Sequence, residues 1–286
     1  LDKDISSTLD SVRDKLRDAR LSRATAVLFE GPAGAGRSRL LDACALEAQT
    51  RGFTILRATA TGTRESFACA RALTSHLLDA LPHAQASQEF SLLLGLTKPV
   101  ASSVPEAQAE VARAALPSFA DGALEPARLQ RALRELWTGV SRTHPLLIAV
   151  DDVHKIDEPS AALLSEVLDK AKRGGILIAL TADSEDADGP AMRALTRRCT
   201  TLELAPLTLE QTRALLDSLF GDVAHLGMLA GEIQRVALGN PRQTLELAQH
   251  LVDRGLIRYS SGSWRLPSAL SADDLPRSTA AAMQAR

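Results

Sequence analysis

Residues 31–38 read Gly-Pro-Ala-Gly-Ala-Gly-Arg-Ser, between an apolar run, Ala24–Glu30, and a segment of helix-forming composition, Ser38–Gln49. This octapeptide constrains the fold more than any other feature of the chain. A buried strand must stop at Gly31, the backbone must turn sharply, and a helix must start at once. Glycines at 31, 34 and 36 let successive N–H groups turn inward into a concave nest for an anion. The start of the following helix adds its unpaired N–H groups and partial positive charge at the same place. The spacing fits G-x-x-x-x-G-K-[S/T], with Arg37 in place of the lysine and Ser38 supplying the hydroxyl that this pattern uses for Mg²⁺. A Gly-rich turn without a ligand is the alternative; the flanking strand and helix favour phosphate. Arg37 keeps the positive charge, but its guanidinium is planar and holds its donors in a fixed fork, unlike a compact ammonium. Phosphoryl transfer rests on positioning and electrostatics. Binding is therefore expected to survive this substitution better than turnover.

The rest of the chain fits an α/β class built on a parallel sheet. Gly52 closes the helix after the loop and Phe53–Ala58 reads as a second strand, completing a strand–helix–strand unit. Helical patterns are expected at residues 9–21, 66–81, 88–96, 126–140 and 159–172, with a Pro- and Ala-rich insertion over 97–122 that carries a short helix near 107–115. Pro145–Asp152 (PLLIAVDD) is an apolar strand ending in two carboxylates, and Ile176–Thr181 and Thr201–Leu204 are a fourth and a fifth strand. Asp151 would hold Mg²⁺ and Asp152 would orient or polarise an attacking water; the plainer reading is two solvated acids before a helix. They follow the glycine loop by about 110 residues, a normal separation within one domain. After Pro206 the pattern turns helical, with a capping box at Thr208 and Gln211, helices at 209–219, 223–237 and 242–254, and a hairpin around Ser261-Gly262.

Composition removes several classes of function. The 286 residues carry a net charge of −2 and only two Trp, one Tyr and six Phe. That excludes an aromatic stacking platform for single strands and the basic excess usual in nucleic-acid binders. Three dispersed cysteines, Cys44, Cys69 and Cys199, fit neither a disulfide framework nor a metal knuckle and suit a reducing cytoplasm. No apolar run is long enough to span a bilayer. The segment preceding the hairpin, Arg242–Arg254, contains Glu246 and Asp253, so it offers no basic recognition face.

These motifs together resemble the ATPase module of the signal-transduction NTPases with numerous domains, in the AAA+-like class, found in large bacterial regulators of the LuxR and maltose-activator type and fused to cyclases or kinases. GPAGAGRSRLL resembles that family's phosphate loop. LLIAVDDVHKIDEPSAALL resembles its Mg²⁺ strand and the helix start that follows, GNPRQTLELAQHL its Gly-x-Pro module, and LVDRGLIRYSSGSWRLP its small wing. The resemblance implies a three-layer core over residues 1–206 with a flexible insertion at 97–122, a helical lid with a winged hairpin over 207–270, and the start of a further helical domain at 271–286. The chain is then expected to be a piece of a longer protein. ATP or ADP with Mg²⁺ would bind Gly31, Pro32, Ala33, Gly34, Ala35, Gly36, Arg37, Ser38 and Arg39 between core and lid, with Pro241 packed on the base. Appended domains would be the partners and self-association stays open, with neither nucleic acid nor membrane bound directly. Three positions depart from the pattern besides Arg37. Only Lys3 and Asp4 of Leu1-Asp2-Lys3-Asp4 match the expected base contact, Lys155 stands where an aromatic is usual, and Thr181-Ala182-Asp183-Ser184 lacks the sensor cation. His154 is expected to be structural, Trp137 a core anchor, and Arg197-Arg198 a helix end rather than a finger toward a neighbouring subunit.

Overall fold

A computed structural model describes residues 2–21, 24–63, 65–81, 126–171, 175–183, 190–271 and 274–275. The helix expected at 88–96, the insertion at 97–122 and the terminal segment 276–286 lie outside the described residues. The described part forms two compact units: Leu9–Glu30 with Ser38–Glu203, and Leu1–Thr8 with Gly31–Arg37 and Leu204–Arg286.

The first unit is built on a parallel five-stranded sheet in the order β2-β3-β4-β1-β5. Helix α1 (Asp2–Leu21) starts earlier than its periodicity suggests. It leads into β1 (Thr25–Gly31), α2 (Arg37–Thr50), β2 (Thr54–Thr59), α3 (Ala68–Ala80), α4 (Pro126–Val140) and β3 (Leu146–Asp151). After a short 3₁₀ turn, Val153–Lys155, come α5 (Glu158–Lys170), β4 (Ile176–Asp183), α6 (Pro190–Thr196) and β5 (Thr200–Glu203). Strands β3 and β4 are apolar over Leu146–Val150 and Ile176–Leu180 because both of their faces are buried there, as parallel sheets require. Leu146, Ile148 and Val150 with Ile176, Ile178 and Leu180 share one cluster with Leu73 and Leu77 of α3, Leu133, Leu136 and Trp137 of α4 and Leu164 and Val167 of α5. The alternating residues Leu147, Ala149, Leu177 and Ala179 are equally buried, as are Val12 and Leu16 of α1 and Leu41 and Cys44 of α2. Trp137 is fully buried and its indole N–H donates to Thr74 Oγ1 at 3.3 Å, the partner a buried indole needs.

One carboxylate organises two helix starts. Asp157 caps α5 through Ser160 N–H at 3.0 Å, and accepts the N–H groups of Phe67 at 2.8 Å and Cys69 at 3.1 Å at the start of α3. Ser160 Oγ accepts Ala70 N–H at 3.0 Å. Four N–H groups that α3 and α5 could not satisfy internally are thus paired by two residues. Arg198 lays its fork on Asp169 at 3.0 and 2.9 Å and donates to the Ala194 carbonyl, which ties the end of α6 to α5.

In the second unit the residues after Leu204 form α7 (Leu209–Phe220), α8 (Leu226–Ala237), α9 (Pro241–Asp253) and the hairpin β6 (Arg258–Ser260) and β7 (Ser263–Arg265). The capping box of α7 is formed, with Gln211 N–H on Thr208 Oγ1 at 3.2 Å and Thr208 N–H on Gln211 Oε1 at 2.8 Å. Leu216, Leu229, Ile233, Leu247 and Leu251 make the core of this helical unit. Trp264 seals it, meeting Phe220 and Tyr259 edge-on with ring centroids 5.3 Å apart in each pair. The hairpin is therefore packed architecture of this unit. Among the described residues no helix is long and apolar enough to cross a membrane.

Thr244 of α9 is fully buried and its hydroxyl has no partner among the described residues. A buried orphan hydroxyl costs about 1–3 kcal/mol, and valine has nearly the same shape. Thr244→Val is expected to stabilise the chain by about 1 kcal/mol, read as a higher urea midpoint with an unchanged m-value; an equal or lower midpoint would contradict the orphan.

Candidate functional site

Gly31 ends β1 and Arg37 opens α2, so the chain reverses over five residues. Gly34 and Gly36 make this possible with φ of 82° and 96°, a region that side chains disfavour. They differ in surroundings. A Cβ at Gly36 would meet nothing within 4 Å, whereas one at Gly34 would lie 2.7 Å from Asn240 Oδ1 and 2.8 Å from Arg242 Cβ. Gly34 is required by space as well as by dihedral angle.

Four successive carbonyls of the loop are occupied. Gly31 O accepts from Arg37 Nη1 at 2.8 Å and Pro32 O from Ala35 N–H at 3.1 Å. Ala33 O accepts from Asn240 Nδ2 at 2.8 Å, and Gly34 O from Arg242 N–H at 3.2 Å. In a planar trans peptide the carbonyl and the next N–H point in opposite directions. Holding the carbonyls of Pro32 and Ala33 to protein donors therefore turns the N–H groups of Ala33 and Gly34 to the other side of the loop. A chain folded this way presents donors to an anion and keeps its acceptors away from it. Ser38 and Arg39, in the first turn of α2, are both exposed.

The same unit holds a cavity of about 200 Å³ beside the loop. Pro32, Ala35, Leu204, Pro206, Leu238 and Pro241 give it mostly apolar walls, with Asn240 and Gln243 among the polar lining residues. Pro241, expected to pack on a base, thus lines one cavity with two residues of the loop. Leu238 stands at its edge with 76% of its surface exposed and a left-handed φ of 50°. An apolar slot with a few polar groups is what a flat heterocycle needs.

The acids belong to the first unit. Asp151 ends β3 and Asp152 follows in a left-handed conformation, φ 54°. Thr181 of β4 connects them: its hydroxyl donates to Asp151 Oδ1 at 2.5 Å and accepts Asp152 N–H at 2.8 Å. Lys155 Nζ lies 3.1 Å from Asp152 Oδ2, so the second carboxylate faces a cation three residues away. His154 Nδ1 accepts Asp183 N–H at 3.2 Å and braces the turn against the end of β4.

Thr181 is the functional candidate that sequence reasoning missed. Attention to a missing cation passed over the first polar residue after the apolar run Ile176–Leu180 of β4, which was the available signal. Among the described residues no group of three or more His, Cys, Asp or Glu is arranged to hold a metal by itself. Burial pushes the thiols of Cys44, Cys69 and Cys199 up to about 12, which leaves them protonated and unreactive near neutral pH.

A model of the AAA ATPase domain matches residues 6–179, more than half of the sequence. The chain belongs to the AAA ATPase domain family. Its fold is similar to that of DnaA from Aquifex aeolicus bound to AMPPCP, with a TM-score of 0.52 and 15% identity over 89% of this chain and 63% of that one. A DNA replication initiation factor gives a TM-score of 0.51 and 14% identity, again over 89% and 63%. A signal-transduction ATPase with numerous domains and a tetratricopeptide repeat sensor, from Pyrococcus horikoshii, gives 0.48 and 16% over 84% of this chain and 28% of that one. The chain thus spans less than two thirds of the length of each of these proteins. No curated protein matches it in sequence. The match to the AAA ATPase domain contains the glycine loop, Asp151 and Asp152; Thr181, Asn240 and Pro241 lie beyond it.

Thr181→Val would leave Asp152 N–H without its acceptor and Asp151 without its donor. The expected loss is about 1–3 kcal/mol of folding stability, measured by urea unfolding; a loss below about 0.5 kcal/mol, the floor for one such hydrogen bond, would remove Thr181 from the role assigned here.

Proposed function

We propose that this AAA ATPase domain is an ATP- or ADP-binding switch of a larger regulatory protein and that it hydrolyses ATP slowly. The observation that carries this reading is the loop in which four successive carbonyls, Gly31 to Gly34, are engaged by protein donors so that the N–H groups of Ala33 and Gly34 turn the other way, next to an apolar cavity of about 200 Å³. That combination suits a polyphosphate joined to a flat base. The loop residues Gly31 to Ser38 would cradle the phosphates, helped by Arg37 and Arg39. Pro241 would pack on the base. Ser38 and Asp151 would hold Mg²⁺, which supplies charge neutralisation on the phosphate oxygens. The AMPPCP carried by the similar DnaA structure lends support to an adenine nucleotide.

Slow turnover follows from the residues around the reacting position. Arg37 spends one donor on the Gly31 carbonyl, and its guanidinium reaches phosphate with a different shape from an ammonium. Asp152, the residue that would orient water, is paired with Lys155. Both features slow hydrolysis more than they weaken binding, because an error of about 1 Å in positioning can cost on the order of a hundredfold in rate. A domain that holds its nucleotide for long periods suits a switch read by appended domains or by a second copy of the chain. The same two observations favour a second reading, a scaffold that binds nucleotide without turnover.

Calorimetric titration of the chain with ADP and ATP in Mg²⁺ is expected to give saturable binding below millimolar concentration. No heat of binding up to millimolar nucleotide would overturn the proposal. Arg37→Lys is expected to raise phosphate release about tenfold or more, and Asp151→Ala to abolish it. Release that is undetectable in both the parent chain and Arg37→Lys, with binding intact, would select the scaffold.

A further inference from the structure

Asn240 performs two tasks with one carboxamide. Its Oδ1 accepts Gln243 N–H at 3.2 Å and caps α9, while its Nδ2 donates to Ala33 O in the loop at 2.8 Å. Two residues on, Arg242 N–H donates to Gly34 O at 3.2 Å. The approach is so close that a Cβ at Gly34 would strike Asn240 Oδ1 at 2.7 Å. The Gly239-Asn240-Pro241 turn reads in sequence as a device for presenting Pro241, and nothing there assigns a task to the asparagine between them.

We propose that Asn240 is a positioning residue for the phosphate loop: its Nδ2 holds the Ala33 carbonyl turned away, so that the donor side of the loop is set only while the start of α9 is docked on it. Rotating the Ala33–Gly34 peptide would break the Asn240 contact and bring a carbonyl to the side where an anion would sit. Docking of α9 and anion binding therefore favour each other, and such coupling is reciprocal. This deepens the nucleotide reading and rests on it for the identity of the ligand; the contact itself stands without a ligand.

The two tasks separate chemically. A cap needs an acceptor, and the tie to Ala33 needs a donor. Aspartate caps a helix as well as asparagine does but turns a carboxylate oxygen toward the Ala33 carbonyl. Serine also caps, carries no charge, and is too short to reach as the carboxamide does. A purely structural role in α9 predicts that both variants behave like the parent chain.

The test compares the parent chain with Asn240→Asp and Asn240→Ser in three measurements: urea midpoint, amide hydrogen exchange of peptides covering residues 31–37 without ligand, and affinity for pyrophosphate and ADP in Mg²⁺. Expected are urea midpoints close to that of the parent, faster exchange in the loop for both variants, and affinity for pyrophosphate and ADP lower by about three- to tenfold for each, the worth of one hydrogen bond. Unchanged loop exchange in both variants would overturn the proposal. So would weakened binding in Asn240→Asp alone, since that would be charge repulsion rather than positioning. If the parent chain binds neither pyrophosphate nor ADP, the nucleotide reading falls, and loop exchange alone then decides: faster in both variants supports the positioning role, unchanged overturns it.

Discussion

Burial of β3 and β4 on both faces sets the terms for everything polar in the first unit. Their ten paired positions, Leu146–Val150 against Ile176–Leu180, are apolar without exception and fully buried. No charged group could be accommodated there without a partner, because desolvation of an unpaired polar group costs several kcal/mol. Polar chemistry is thereby pushed to the strand ends. Asp151, Asp152 and Thr181 stand at the carboxyl ends of two adjacent parallel strands. This edge is where ligands of open parallel sheets gather.

The loop solves a related problem of backbone pairing. Buried or turned carbonyls need donors, and the chain assigns four of them, Gly31 to Gly34, to Arg37, Ala35, Asn240 and Arg242. Arg37 thus acquires a use that a lysine could fill less well, since its several donors let one bind the Gly31 carbonyl. The departure from the usual lysine has a structural partner as well as a chemical consequence. At Asp152, Lys155 likewise places a cation on a residue of the site, 3.1 Å from its carboxylate.

Some of this was legible residue by residue. Periodicity exposed the strands because β3 and β4 are apolar runs bounded by Pro145, Gly175 and acids, and it exposed α7 through Thr208 and Gln211. The glycine loop was legible because few backbones tolerate three glycines between a strand and a helix. Helix α6 was not, since seven residues hold too little periodicity to stand out. Thr181 escaped because a single hydroxyl in an apolar strand carries no pattern; its meaning lies in two hydrogen bonds to residues thirty positions earlier. Asp157 could be read as the cap of its own helix, but its hold on α3 joins residues ninety apart.

The sequence by itself determined the parallel α/β class, the loop between β1 and α2, and the acids at the end of β3, because each follows from local composition acting over a few residues. Only the tertiary structure decided that the loop clusters with the C-terminal helices in one compact unit, that Asn240 holds its backbone, and that Lys155 and Thr181 share the two acids between them. The physical reason is range. Propensity and period act along the chain, whereas hydrogen-bond partners are chosen by proximity across it, and Asn240 reaches Ala33 over 207 residues of sequence.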